Sequence, residues 1–517
     1  MLKRSFIKSG QGLTLVLAGG LVVWLLVAMI QSMLTELPAI TGVTISLIAV
    51  LSLVLLIGIW GLARLLARRQ TSGVILTFTF LTLIKLPIVA LLKITPTSDF
   101  WSYHALAAYS AQGMTWKTMA ATGRLGTYVI FPHALNIANF FSLGAAFGGT
   151  NFFISQLINI SSTWLDMLLL YWLGSRWFSR EVGITAGLLF YGIPAYWLYS
   201  TLLNGAEPLF LTFVLVAMLA LTKALFPLKT ATPSDQWLNL GLAWLATLAA
   251  NMLRPIMLVF ILALIILSLW LWIQNLTLKR HLRQLIIYIV ATILLIGCSP
   301  VVYNWLYGVQ LAPTRVSTAY SLATGTDSHS AGQYDPAIMH QVTTKLKNKT
   351  EPNQAYPKLA STLQTDTQQH LQELTKQGRW GAFINVKTQN LMSAAYGYNW
   401  TLYNLNLKQS QQQINRHWYQ LRGPIILLSF DYLGLLLVGA LISILIGLWT
   451  LFSSNNYRSA NCFFFETLLL IGLTISTLCL EVQGRYQIVL YIPIIMLIGT
   501  GLAAIKAHQP DNKKSNN

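Results

Sequence analysis

The chain has 517 residues, of which 55% are hydrophobic and only 9% are charged, and its mean hydropathy is +0.58. A soluble domain carries about 25% charged residues, so this composition excludes an ordinary soluble protein and indicates a membrane protein. The formal net charge is +19. Because the basic residues lie mostly in short loops between apolar segments, we expect them to set the topology and to contact anionic lipid headgroups, and we expect no nucleic acid partner.

Apolar runs of about 18 or more residues predict membrane-spanning helices, and these runs are apolar on every face, unlike the strands of a barrel. We therefore predict an all-α polytopic membrane protein with about twelve spans. The spans lie near residues 13–33, 43–63, 73–92, 151–174, 183–203, 208–225, 236–252, 255–273, 284–307, 424–452, 463–480 and 487–505. Short basic turns fall on one side, which predicts that both termini are cytoplasmic.

Four regions follow from this pattern. Residues 1–72 form an N-terminal two-helix hairpin, and residues 73–307 form a transmembrane core whose first outer loop, 93–150, contains helices lying along the membrane. Residues 308–423 are polar throughout and predict one large extracytoplasmic loop domain. The last region, 424–517, combines three spans with a basic cytoplasmic tail that includes Lys513 and Lys514.

The most informative polar stretch, residues 95–104, directly follows the third predicted span. It brings Asp99 together with aromatic residues and His104, in a chain that has only 15 Asp and Glu residues. A carboxylate at this place is a candidate general base. The alternative interpretation is a helix start, since Thr97 and Ser98 are good N-caps and acids are favoured in a first turn. The sequence leaves both interpretations open.

Other ionisable residues follow further spans at the same predicted face. Glu207 follows the fifth span, Arg254 the seventh, and Glu481 and Arg485 the eleventh. Arginines near a membrane interface suit a phosphate, and carboxylates suit acid–base work. Each residue also has a structural alternative: Glu207 as a cap of the sixth span, Arg254 as an anchor to headgroups, and Glu481 with Arg485 as a local ion pair.

The segment from Ser98 to Tyr103 resembles the first outer loop of the GT-C glycosyltransferase superfamily, in particular the protein O-mannosyltransferase and aminoarabinose-transferase group. Members carry an Asp, often followed by Glu, with a Tyr four residues later. Asp99 and Tyr103 match this pattern, whereas Phe100 departs from the Asp-Glu form. The segments Phe131–Phe147, Leu253–Pro255 and Glu481–Tyr486 also resemble parts of the family. The first two spans are additional to the minimal family plan.

The resemblance implies an inverting transferase that takes a sugar from a polyprenyl-phosphate-linked donor at the outer face of a bacterial cell membrane. The acceptor would be an envelope glycan, a lipid or an exported protein. In this interpretation Asp99 is the catalytic base and Arg254 holds the donor phosphate, with Arg124 or Arg485. The remaining residues that we expect to contact substrate are Tyr103, His104, Glu207 and Glu481, and Glu207 could also support a divalent cation if the reaction uses one. A lipid-linked oligosaccharide transporter and a wall-polysaccharide polymerase remain open alternatives.

Overall fold

The computed structural model describes residues 2–37, 42–227, 230–274, 279–346, 352–453 and 457–508. The predicted basic tail with Lys513 and Lys514 lies outside the described residues. Within the described part, regular structure is helical except for one isolated bridge between Ile94 and Leu405. The all-α prediction is therefore confirmed.

The α-helices of the N-terminal half form the hairpin, the first loop and half of the core. They are α1 (Leu2–Glu36), α2 (Gly42–Ala67), α3 (Thr71–Leu83), α4 (Lys85–Leu91), α5 (Ser98–Ala111), α6 (Trp116–Ala121), α7 (Pro132–Gly148), α8 (Phe152–Trp177), α9 (Arg180–Tyr191), α10 (Pro194–Leu202), α11 (Glu207–Leu225), α12 (Pro233–Leu253) and α13 (Met257–Ile273).

The remaining helices complete the core and build the polar region. They are α14 (Lys279–Tyr307), α15 (Thr314–Thr326), α16 (Pro336–Leu346), α17 (Tyr356–Lys376), α18 (Trp380–Leu391), α19 (Tyr396–Tyr403), α20 (Gln412–Gln420), α21 (Arg422–Ser453), α22 (Tyr457–Cys479) and α23 (Tyr491–His508). Short 3₁₀ helices occupy Gly126–Ile130, Pro352–Ala355, Gln409–Gln411 and Gly484–Leu490.

Nine helical segments of the described chain are long and apolar enough to cross a membrane, and the bent pair α9–α10 is a tenth. The predicted seventh and eighth spans coincide with α12 and α13, of which α13 is a shorter apolar helix of 17 residues. Each predicted span thus coincides with helical structure. The protein is a multi-pass membrane protein.

Two predicted spans are not continuous helices: 73–92 is interrupted at Ile84 but remains one membrane-crossing segment, and 183–203 is a bent pair of helices. The first divides into α3 and α4, and the second divides into α9 and α10 with a bend of 68°. A proline explains each break, because its ring clashes with the carbonyl group four residues earlier and it has no N–H to donate. Pro87 stands four residues after the end of α3, and Pro194 stands four residues after Phe190.

Tyrosine hydroxyl groups from neighbouring helices bind backbone carbonyl groups near the breaks. Tyr191 donates to the carbonyl oxygen of Leu81 at 2.6 Å, and Tyr432 donates to that of Leu189 at 2.9 Å. Backbone polar groups inside a membrane need protein partners, because lipid offers none. The breaks are therefore stable features. They direct α4 towards α5, and α10 towards the start of α11, which are the two helices that carry Asp99 and Glu207.

The predicted polar domain, 308–423, is folded mainly into helices α15 to α20. It shares an apolar core with the first outer loop, in which Val129 and Leu106 meet Val316 and Leu359. The backbone N–H of Ala312 also donates to the carbonyl of Val129 at 2.9 Å. The two regions are therefore packed together over the end of the bundle at which Asp99 lies.

The additional N-terminal hairpin is attached to the rest of the protein at both of its ends. Gln389 donates to Gln31 at 2.9 Å at the end nearest the polar domain. At the opposite end Glu181 of α9 accepts from Lys506 at 2.6 Å and lies 3.7 Å from Arg64. The hairpin is thus an integral part of the fold.

Candidate active site

The chain that enters α5 is clamped to the polar domain immediately before Asp99. Asn404 accepts from the backbone N–H of Thr97 at 2.6 Å and from its hydroxyl at 2.8 Å, while the backbone N–H of Thr95 donates to the Asn404 carbonyl at 2.8 Å. Ser98 then has a φ of +52°, a left-handed conformation that a residue with a side chain seldom adopts. Such strain is typical of positions that the surrounding structure fixes for a functional reason.

Asp99 lies in the first turn of α5, as the structural alternative required, but it also forms an ion pair across the molecule. Nη2 of Arg485 is 2.6 Å from Oδ2 of Asp99. The Arg485 side chain is only 3% exposed, whereas that of Asp99 is 37% exposed. Burial acts to raise the pKa of Asp99, but the charge and hydrogen bond of Arg485, with Arg254 and His133, outweigh it, so the pKa is lowered. Asp99 is therefore an ionised carboxylate with a face open to a substrate.

Arg485 is enclosed by aromatic rings and retains unused hydrogen-bond donors. Its guanidinium carbon lies 5.8, 5.5 and 5.6 Å from the ring centres of Phe100, Trp400 and Tyr486. Its Nε and Nη1 atoms are buried and have no hydrogen-bond partner among the described residues. Buried donors are normally paired, so this group has the capacity to bind an additional acceptor such as a phosphate oxygen.

A second ion pair joins Glu207, the first residue of α11, to Arg254 in the turn between α12 and α13. The other carboxylate oxygen of Glu207 accepts from the hydroxyl of Tyr199 at 2.5 Å. Glu207 is 2% exposed and Arg254 is 17% exposed. Arg254 therefore does not reach for headgroups, and Glu207 is more than a cap. The guanidinium of Arg254 also lies 5.2 Å from the ring of Tyr486, which contacts both arginines.

Glu481 contributes a third carboxylate from the segment between α22 and the 3₁₀ helix Gly484–Leu490. Its Oε1 accepts from the side-chain amide of Gln483 at 2.7 Å. Burial raises the pKa of Glu481, and Asp99 adds to this, although Gln483, Arg485 and Arg254 oppose it. The local Glu481–Arg485 pair is not formed, because this segment is not α-helical and Arg485 pairs with Asp99 instead.

Three other predicted site residues lie on α5 or on the loop after α6. Tyr103 is buried one turn after Asp99 on the same face, and its pKa is raised by burial and by Asp99. His104 points elsewhere and packs edge-on against Phe152, with ring centres 5.4 Å apart. Arg124 is exposed and lies over Tyr109, 4.3 Å from the ring centre. The structure therefore places Tyr103 in the cluster and turns His104 and Arg124 towards other partners.

Sequence reasoning missed several residues that shape the cluster. Tyr199 binds Glu207, and Trp400 and Asn404 reach the site from the polar domain, where nothing in the sequence distinguishes them from their neighbours. His133 is also half-buried beside the cluster, and desolvation lowers its pKa to about 4. The sequence offered a signal for Tyr199 alone, because it lies close before Glu207 in the chain, near the end of the predicted fifth span.

The described residues include no group of three or more His, Cys, Asp or Glu side chains that could hold a metal ion. Glu207, the expected metal supporter, has both oxygens engaged by Arg254 and Tyr199. In this arrangement Glu207 therefore has no carboxylate oxygen free of a protein partner for a metal ion.

Comparisons with known proteins gave structural matches only. No family model matches the chain, and no curated protein matches it. Two crystal structures of the Archaeoglobus fulgidus oligosaccharyltransferase are similar, each at 11% identity. For the complex with zinc and sulfate the TM-score is 0.42, and the match covers 82% of this chain and 48% of that one. For the form tethered to an acceptor peptide the TM-score is 0.41, and the match covers 84% of this chain and 49% of that one. The chain thus spans about half the length of these structures.

The structure of ArnT from Cupriavidus metallidurans bound to undecaprenyl phosphate is also similar. It has a TM-score of 0.33 and 12% identity, and it covers 84% of this chain and 78% of its own.

Proposed function

We propose that this protein is a membrane glycosyltransferase of the inverting GT-C type, which transfers a sugar from a polyprenyl-phosphate donor to a cell-envelope glycan, lipid or exported protein. The observation that carries the proposal is the buried Arg485, held beside Asp99 at the end of membrane-crossing helices, with two nitrogens that have no hydrogen-bond partner among the described residues. A lipid-borne phosphate would keep its tail in the bilayer and reach this guanidinium at the interface.

The residues of the cluster would have different roles in the transfer. Arg485, with Arg254, would bind the donor phosphate and stabilise the negative charge that develops as it leaves. Asp99, whose outer face is open, would contact and orient the acceptor, and Tyr103 would pack against both. Glu207 and Tyr199 would hold Arg254 in place. The basic turns between spans support our proposal that this end of the bundle lies at the outer face of a bacterial membrane.

A transporter of lipid-linked sugars would need ionisable groups along a path through the membrane. The interiors of the described spans contain Lys85, Asp166, Glu466 and Asp431, and the first three side chains are fully buried whereas Asp431 is half-buried. Lys85 donates to Ser200 at 2.9 Å and Asp166 accepts from Thr212 at 2.6 Å, so both are used in contacts between helices. This arrangement favours the transferase over a transporter, and a wall-polysaccharide polymerase would be one form of such a transferase.

The test is the glycan composition of the envelope in a deletion strain complemented with wild type, Asp99→Asn or Glu373→Gln at equal membrane levels. Glu373 is an exposed acid on α17 and serves as the matched control. We expect wild type and the control to restore a missing sugar, and Asp99→Asn to restore little of it. Full restoration by Asp99→Asn would remove Asp99 from the site, and an unchanged glycan in the deletion strain would contradict the transferase itself.

A further inference from the structure

The three carboxylates of the cluster differ in what binds them. Oδ2 of Asp99 is held by Arg485 at 2.6 Å, and Glu207 is held by both Arg254 and Tyr199. Glu481 has a hydrogen bond only from a neutral amide, that of Gln483, among the described residues. Within the described residues, Glu481 is therefore the one carboxylate of the three that forms no ion pair with an arginine.

This difference decides which of them is suited to accept a proton. A carboxylate hydrogen-bonded to a guanidinium is stabilised as the anion and is a weak base. We propose that Glu481, rather than Asp99, takes the proton from the acceptor during sugar transfer. The inference rests on the proposed function and refines it, because Asp99 then orients the acceptor while Glu481 performs the proton transfer.

Backbone contacts on both sides fix the position of Glu481. Lys387 donates to the carbonyl of Leu480 at 2.8 Å, and the backbone N–H of Val482 donates to that of Gly332 at 2.8 Å. Gly325 approaches so closely that an added Cβ would lie 2.4 Å from the carbonyl carbon of Leu480. A catalytic group needs such support, since small displacements are costly in rate.

The charged and titratable groups that interact with Glu481 come from several elements around it. Asp99 comes from α5, Arg254 from the turn after α12, and Arg485 from the 3₁₀ helix. The others are Tyr320 of α15, Tyr334 of the loop before α16, Lys387 of α18 and Tyr486. Burial is the largest influence and raises the pKa of Glu481, whereas that of Asp99 is lowered. Two carboxylates with pKa values moved apart are typical of divided catalytic roles.

In the proposed transfer step, the acceptor oxygen or nitrogen forms a bond to C1 of the sugar while the bond from C1 to the phosphate oxygen breaks. The phosphate leaves with that electron pair, beside Arg485 and Arg254. The proton of the acceptor passes to a carboxylate oxygen of Glu481, which later releases it to solvent.

The experiment measures the initial rate of sugar transfer against pH in permeabilised membranes of the deletion strain, which contain the native donor and acceptor. The compared proteins are wild type, Glu481→Gln, Glu481→Asp and Asp99→Asn. We expect the wild-type rate to fall on the acid side as Glu481 becomes protonated. Glu481→Gln should lower the rate by about 10²–10⁴-fold and abolish this acid limb, and Glu481→Asp should retain the limb at a reduced rate.

Asp99→Asn should be slower than wild type but should keep the acid limb. The inference is overturned if Glu481→Gln keeps the limb, or if Asp99→Asn loses it while Glu481→Gln does not. Absence of any transfer difference between wild type and the empty strain would instead defeat the proposed function, so the two failures are distinguishable.

Binding of undecaprenyl phosphate and thermal stability show whether the variants are folded. Because burial raises the pKa of Glu481 in the folded state, its stabilising contribution is present at low pH and is lost as the pH rises through the folded pKa. Above that pH, replacing it by the neutral Gln should leave stability unchanged or higher. A Glu481→Gln protein that is slow but stable would therefore support a chemical role for Glu481. That role would be refuted if Glu481→Gln were slow and unstable while Glu481→Asp was fully active and showed no acid limb.

Discussion

The buried pair between Glu207 and Arg254 allows a quantitative prediction. Replacing Arg254 by Met would remove the ion-pair partner of Glu207, which is 2% exposed, and would leave the hydrogen bond from the hydroxyl of Tyr199. Removing one partner of a buried ion pair costs about 3–5 kcal/mol, because the remaining charge is uncompensated. Since Arg254 itself is 17% exposed, we expect a loss near the lower end, about 3 kcal/mol.

The double variant Arg254→Met with Glu207→Gln removes both charges and keeps a hydrogen-bond partner for Tyr199. It should recover most of the lost stability, to within about 1 kcal/mol of wild type, because no unpaired charge remains. The control is Arg64→Met, since Arg64 is 54% exposed and lies 3.7 Å from Glu181. This exposed pair should contribute less than about 1 kcal/mol.

The assay is equilibrium unfolding of the purified proteins in mixed detergent and SDS micelles, followed by tryptophan fluorescence. Both variants lack Arg254, so both should bind undecaprenyl phosphate weakly, and stability alone separates them. If the single and double variants were equally destabilised, the cost would come from lost packing of the arginine and not from the unpaired Glu207. If neither were destabilised, the pair would not be buried as described.

Two further predictions concern contacts that position the site. Gly397→Ala should destabilise the protein by about 1–3 kcal/mol or more, because the added Cβ would lie 1.9 Å from the carbonyl oxygen of Ala195. Gly423→Ala is the control and should change the thermal midpoint little, because its added Cβ would have nothing within 4 Å. Equal thermal midpoints for the two variants would contradict the close packing of α19 on α10. Asn404→Ala should cost about 1–3 kcal/mol, because it leaves the N–H and hydroxyl of Thr97 without their partner, and should speed proteolysis of the polar domain; an unchanged cleavage rate would mean that the clamp before Asp99 is unimportant.

The membrane fold was predictable because apolar length is a strong and local signal. Each predicted span coincides with a helix, and even the two breaks had a visible cause in Pro87 and Pro194, which we had placed inside continuous spans. The helical content of 308–423 was harder to predict. Helices α15 to α17 depend on a core shared with the first outer loop, whereas Leu391 of α18 and Trp418 of α20 join the main core of the bundle.

The membership of the site was partly predictable, but its pairing was not. The order of polar residues after successive spans indicated Asp99, Glu207, Arg254, Glu481 and Arg485 as neighbours. Arg485 pairs with Asp99, 386 residues away in the chain, and not with Glu481, which is four residues away. The sequence could not reveal this pairing. That choice depends on which helix ends meet, and on the segment that carries Glu481 and Arg485, which is not α-helical.

The charge balance of the cluster links donor binding to proton transfer. Two arginines face three carboxylates, and the carboxylate with the raised pKa is the one without an arginine. A phosphate bound at Arg485 would add negative charge beside Glu481 and would raise its pKa further. Glu481 would then be a stronger base when the donor is present than when the site is empty. We therefore expect the acid limb of the transfer rate to lie at higher pH with saturating donor than at limiting donor, and an acid limb at the same pH in both conditions would contradict this coupling.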